Sequence, residues 1–129
     1  MPFRHLSQHE EAEVAMRYLG KAWAAGGRGP GAYDCFGLIS AVYSDVFRID
    51  ILNPSSIAET FQAVETPSSM CIVGMRTLAA SHVGLWMESD RGGILHAIHP
   101  NGVVFTRKND IESMGCRING YYACNFLSH

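Results

Sequence analysis

The chain has 129 residues and a formal charge of −2, with an apolar content of 47% that sits in the range of a globular chain. That length suits one domain spanning residues 1–129, able to bury a sizeable core without cross-links. No basic run points to nucleic acid as a partner, and no apolar stretch approaches the roughly 18 residues that cross a membrane.

The N-terminal run MPFRHLSQHEEAEVAM has no continuous apolar segment of the kind that directs secretion. Synthesis in the cytoplasm without a signal peptide, with thiols kept reduced, is therefore the expectation. Ser7 followed by Glu10 is a capping box, which places a helix start near Ser7. Ala15, Tyr18, Leu19, Ala22 and Trp23 recur at helical spacing and are expected to form its buried stripe, with Gly26-Gly27 ending it. A Gly/Pro-rich loop, GGRGPGAY, then leads to Asp34.

Asp34 reads as the N-cap of a second helix, CFGLISAVYSDVF, with Leu38, Ile39, Val42, Tyr43 and Val46 on one face. A short third helix is expected through SSIAETFQAV. The period then changes: MCIVGMR, HVGLWME, GILHAIH, GVVFTR and RINGYYACNF read as strands bounded by turn signals. Asn101-Gly102 marks a hairpin and SDRGG a looser one. Helices first and antiparallel strands after predict an α+β domain.

Cys35, Cys71, Cys116 and Cys124 are widely spaced and form no C-x-x-C pair. With six histidines available a structural zinc is conceivable, but Cys71, Cys116 and Cys124 read more simply as small buried hydrophobes. Cys35 differs. It follows the cap residue in the first helical turn, where unpaired N–H groups and the helix dipole favour a thiolate and predict a lowered thiol pKa. A thiol nucleophile needs a base. On alternating strands His82 shares a face with Gly84 and Trp86, and His96 with Ile94 and Ile98, while His99 points the other way. If the two strands pair, His82 and His96 lie on one face. Taken singly, each reads more simply as a satisfied, half-buried strand residue, and His5, His9, His99 and His129 read as surface positions.

The order of these motifs resembles the NlpC/p60 family of cell-wall cysteine peptidases. LGKAWAAGGRGPGAYDCFGLISAVY, then SHVGLWM, then GILHA follow that family's pattern from about Leu19 to Ala97, and INGYY looks like its last strand. The resemblance implies a papain-like (NlpC-type) fold, N-terminal helices packed on a central antiparallel sheet, with no cofactor. It carries the nucleophile onto Cys35, the base onto His82 and the orienting residue onto His96, with Trp23 and Asp34 at the oxyanion and substrate cleft. The implied function is a hydrolase, a thiol protease cutting stem-peptide amide bonds of peptidoglycan such as the D-glutamyl–diamino acid bond.

Three positions depart from the family pattern. Phe36 stands where Ser is usual, Trp23 stands where a Tyr is usual, and PSSMCIVGM replaces a Gly-Asp before the first strand. The DCFGL form looks like phage or prophage tail-associated members. This implies peptidoglycan stem peptides and phage tail proteins as partners and a virion tail acting on the cell wall as the location. The other expectations are a structural tail-assembly protein with a dispensable site, a secreted-effector amidase of the same fold, or an acyltransferase acting on lipids. Trp23 is left open between the cleft and the core.

Overall fold

The computed structural model describes residues 6–51, 53–78 and 80–124. The expectations for His5, His129 and the end of the last strand beyond Cys124 lie outside these residues.

Helix α1 spans Gln8–Tyr18, and its capping box forms as expected: the Ser7 hydroxyl accepts from the Glu10 N–H while the Glu10 carboxylate accepts from the Ser7 N–H. The helix is shorter than its apolar spacing suggests. Leu19 already leaves helical geometry, is 44% exposed, and no longer belongs to the stripe. Ala22 and Trp23 form a short strand, β1 (Ala22–Trp23), pairing in parallel with β2 (Ala32–Tyr33). Two backbone bonds to Val103 draw the chain away from the helix axis: Gly20 donates to its carbonyl, and its N–H donates to Lys21 O.

Helix α2 spans Cys35–Val42 and passes directly into a π-helical turn, Tyr43–Phe47. Leu38, Ile39, Val42 and Tyr43 are fully buried, as the spacing predicts. The expected third helix is only partly realised. Pro54–Ser56 is a 3-10 turn and α3 covers Ile57–Thr60, whereas Phe61–Val64 is strand β3. Phe61 is extended because its strand zips onto the last strand of the sheet and its ring packs edge-on against Tyr43.

The remaining strands are β4 (Ile72–Arg76), β5 (Ser81–Met87), β6 (Gly93–Ile98), β7 (Gly102–Arg107) and β8 (Arg117–Cys124). With β3 they form an antiparallel sheet in the order β3-β8-β4-β5-β6-β7. Both expected hairpins occur. Gly93 pairs with Met87 across the SDRGG turn, and Ile98 pairs with Gly102 across His99–Asn101.

Both sheet faces are covered, which is why β4 and β6 read as nearly continuous apolar runs rather than alternating ones. The larger core joins Val14 and Tyr18 of α1 and Leu38, Ile39 and Val42 of α2 to Ile72, Leu85 and Leu95. A second cluster, including Cys71, Val73, Trp86, Ile94, Ile111 and Cys116, packs the other face. Cys71, Cys116 and Cys124 are buried in these cores, where a small apolar side chain suffices. Among the described residues no group of three or more His, Cys, Asp or Glu could hold a metal, and no helix is long and apolar enough to cross a membrane.

Candidate active site

Asp34 sets the geometry of the site. Its carboxylate accepts from the Gly37 N–H at 2.6 Å, capping α2, and from Arg28 at 2.9 Å. The Asp34 N–H in turn donates to the Gly27 carbonyl, so the glycine-rich loop folds back onto the helix start. That carbonyl comes so close that a Cβ on Gly37 would lie 1.9 Å from it, which accounts for the glycine two positions after Cys35. Phe36 is buried in the core beneath the Arg28 guanidinium, 5.3 Å from its ring centre. The apolar residue next to the cysteine thus faces inward, and the partly buried Cys35 side chain is left in the cleft at the helix start.

Cys35 is half-buried, whereas Cys71, Cys116 and Cys124 are buried. It lines a cleft of about 590 Å³ together with Trp23, Asp34, His82 and His99. Trp23 is half-buried, packs at the edge of the main core and also forms a wall of this cleft, so both alternatives for it describe part of its position. Its ring meets His99 edge to face with centres 4.8 Å apart. His99 is exposed, as expected of a surface residue, yet it stands on the rim of the same cleft because the hairpin turn carries it beside β1. His9 is a surface residue beside Glu13.

His82 Nε2 and His96 Nδ1 are 2.8 Å apart, the arrangement that pairing of β5 with β6 makes available. Gly84 makes room for it. A Cβ there would come within 3.0 Å of the His96 Cβ and 2.5 Å of Ile94 Cγ2. His96 is fully buried and its other ring nitrogen lies 3.0 Å from the Thr106 hydroxyl. Thr106 in turn donates to the Met114 sulfur at 2.9 Å. Neither Thr106 nor Met114 stood out in the sequence. The hairpin at Asn101-Gly102 held the signal, since it fixes Ile94 opposite Thr106 and His96 opposite Val104, putting Thr106 diagonally across from His96 on the same face.

The protonation states differ from the lowered thiol pKa expected of a helix start. Burial pushes the Cys35 thiol up, and the Asp34 carboxylate adds to this; backbone N–H groups of Val83, Phe36 and Cys35 itself oppose the shift without cancelling it. Loss of water at the helix start outweighs the donors gathered there. Burial pushes His82 down from its ordinary value. His96 is driven down to about 3, by burial first and then by its His82 neighbour. The resting cleft is therefore lined by a neutral thiol and a neutral imidazole. Such a pair acts by general base catalysis, the imidazole taking the thiol proton as attack begins.

The same shifts have a consequence for stability. Below about pH 6.5 the unfolded chain takes up a proton at His96 that the folded protein refuses, so the unfolded state binds more protons and stability falls with pH. The loss is expected to accumulate from about pH 6.5 down to about pH 3 at up to about 1.4 kcal/mol per pH unit, with His82 adding in the same direction over its own window. Urea denaturation at several pH values checks this. His96→Gln should flatten the acid slope relative to wild type, and an unchanged slope would contradict the buried neutral imidazole.

No protein-family model and no curated protein sequence matches the chain. Comparison of folds does find relatives among solved structures. The chain is similar to the NlpC/p60 domain of the peptidoglycan hydrolase SagA, with a TM-score of 0.67 at 19% identity, over 92% of this chain and 99% of that domain. It is also similar to NlpC1 from Trichomonas vaginalis, with a TM-score of 0.69 at 19% identity over 90% of this chain. A lipoprotein-like member of the NLP/P60 family from Staphylococcus aureus gives a TM-score of 0.67 at 18% identity over 97% of this chain. The chain spans 44% of the length of each of the latter two. The helices packed on an antiparallel sheet are the papain-like fold of NlpC/p60 domains.

Proposed function

We propose that this protein is a cysteine hydrolase acting on amide bonds of peptidoglycan stem peptides. The observation that carries the reading is the pairing of His82 with His96 at 2.8 Å in a strand that opens on the same cleft as Cys35. In the proposed reaction His82 takes the Cys35 proton and the sulfur attacks the scissile carbonyl carbon. The resulting oxyanion is met by N–H groups at the start of α2, where unpaired donors and the helix dipole favour negative charge. As the tetrahedral species collapses, His82 returns the proton to the leaving amine, giving a Cys35 thioester and a free amine. Water, activated by the same imidazole, releases the acid and restores the thiol.

The Trp23 indole N–H, on the cleft wall, is a candidate donor toward the substrate carbonyl, and Asp34 holds the loop beside it. The substrate class rests on the likeness to NlpC/p60 domains, one of them belonging to a peptidoglycan hydrolase. The bond we favour joins D-glutamate to the diamino acid. We further propose attachment to a phage or prophage tail, supported by the DCFGL form of the nucleophile motif; tethering would raise the local concentration of enzyme at an insoluble wall. The test is incubation with purified muropeptides followed by mass analysis. Paired fragments that sum to one stem peptide plus water are expected. Intact muropeptides after prolonged incubation would count against the substrate, and tails of Cys35→Ala particles that infect at wild-type efficiency would count against a role in wall penetration.

A further inference from the structure

Two opposite proton arrangements are available along the chain of side chains behind Cys35. Either every donor points away from the cleft, leaving His82 Nδ1 with a free lone pair, or every donor points toward it, placing a proton on His82 Nδ1. Only the first makes His82 a base. A neutral imidazole pair has no internal preference between them, because each ring carries one proton and can hold it on either nitrogen. The choice has to be made at the far end.

That end is Thr106. Its hydroxyl has a single proton, and two neighbours stand within reach: His96 Nε2 at 3.0 Å and the Met114 sulfur at 2.9 Å. A thioether has no proton to give, so in this contact the Thr106 hydroxyl is the donor. That directs the Thr106 proton to Met114. Its oxygen can then only accept from His96, which fixes the His96 proton on Nε2 and leaves Nδ1 as an acceptor. His96 Nδ1 accepts in turn from His82 Nε2–H at 2.8 Å, and the lone pair of His82 is left on Nδ1. Thr106 is 7% exposed and His96 fully buried, so water has little access to satisfy either group in the reverse sense.

We propose that Thr106, oriented by Met114, is a positioning residue that selects the tautomer in which His82 serves as the base for Cys35. The proposal rests on the Cys35–His82 reading of the site and extends it by two residues. Thr106 acts through His96, and Met114, which also lines the cleft, acts through Thr106. The neutral state of the two imidazoles, which the burial of the pair enforces, is what makes tautomer selection necessary. A protonated His96 would donate from both nitrogens and need no such selection.

The experiment combines long-range nitrogen–proton NMR of the histidine rings with the rate of Cys35 alkylation by iodoacetamide at pH 7, read by peptide mapping. Wild type is expected to show His82 and His96 both protonated on Nε2. Thr106→Val keeps the shape and removes the hydroxyl; mixed tautomers and a fall in alkylation on the order of 10- to 100-fold are expected, the scale on which removing a group that orients a histidine ligand acts. Thr106→Ser should restore both readouts. Met114→Leu frees the Thr106 proton to turn toward His96 and should move the His82 proton to Nδ1. A wild-type His82 protonated on Nδ1, or a Thr106→Val protein with unchanged tautomers and rate, overturns the proposal. His82→Ala serves as the separate arm: alkylation at the wild-type rate in that variant would remove the Cys–His pair itself, while the tautomers of the wild type still decide the role of Thr106.

Discussion

A His82→Ala variant is expected to lose about 10²–10⁴-fold in turnover of a muropeptide substrate, with its melting temperature little changed. The expectation follows from the balance of protonation at the site. Burial holds the Cys35 thiol above its ordinary pKa, so at pH 7 the thiolate is scarce unless a base removes the proton during attack. His82, kept neutral by its own burial and paired with His96, lines the same cleft and is the proposed base. His96→Ala should cost less, since it removes orientation but leaves the base. His99→Ala should change turnover little, because its exposed ring contacts Trp23 on the rim rather than the His82–His96 pair. A His82→Ala enzyme as fast as wild type would remove the base from the account, and His99→Ala as damaging as His96→Ala would move the chemistry toward the hairpin turn.

The largest effect on stability is expected at Glu11, far from this chemistry. Its side chain is fully buried on α1. One carboxylate oxygen accepts from the Glu88 N–H at 2.9 Å and from the Ser69 hydroxyl; the other accepts from the N–H and the hydroxyl of Ser89, at 3.0 and 2.8 Å. The carboxylate thereby ties the first helix to the turn between β5 and β6 and to the segment before β4. Glu11→Ala leaves four donors facing a cavity with no acceptor, and a loss of about 3–5 kcal/mol is expected. Glu11→Gln keeps an acceptor on one side but sets an NH₂ against donors on the other, so it should fall between the two. Chemical denaturation measures both. The folded fraction of either variant should keep wild-type specific activity, which separates this clamp from the catalytic cleft.

Much of this arrangement is legible from local signals. Ser7 with Glu10, Asp34 before Cys35, and the short β-prone runs SHVGLWM and GILHAIH bounded by turn signals each encode their structure within a few residues, so the helix starts and the shared face of His82 and His96 emerge from the sequence. What stays hidden depends on distant partners. Trp23 has the spacing of a helix position, yet bonds between residues 20–21 and Val103 pull it into a strand beside the cleft. Phe61 continues a helical pattern but is claimed by β8. The position of Glu11, three, four and seven residues before Val14, Ala15 and Tyr18, puts it on the buried stripe, and only the donors at residues 69, 88 and 89 explain how so polar a side chain is accommodated there. The raised Cys35 thiol has the same origin: the helix start is visible in the sequence, but the burial that outweighs it is not.

The claim that Cys35 carries the acyl group during amide hydrolysis is tested most directly by quenching the protein in acid during muropeptide turnover and mapping the adduct by mass. The account requires a thioester on the peptide containing Cys35, discharged by hydroxylamine, and no cleavage by Cys35→Ala. Cleavage that persists in Cys35→Ala, or an acyl group mapped to Cys71, Cys116 or Cys124, would contradict it.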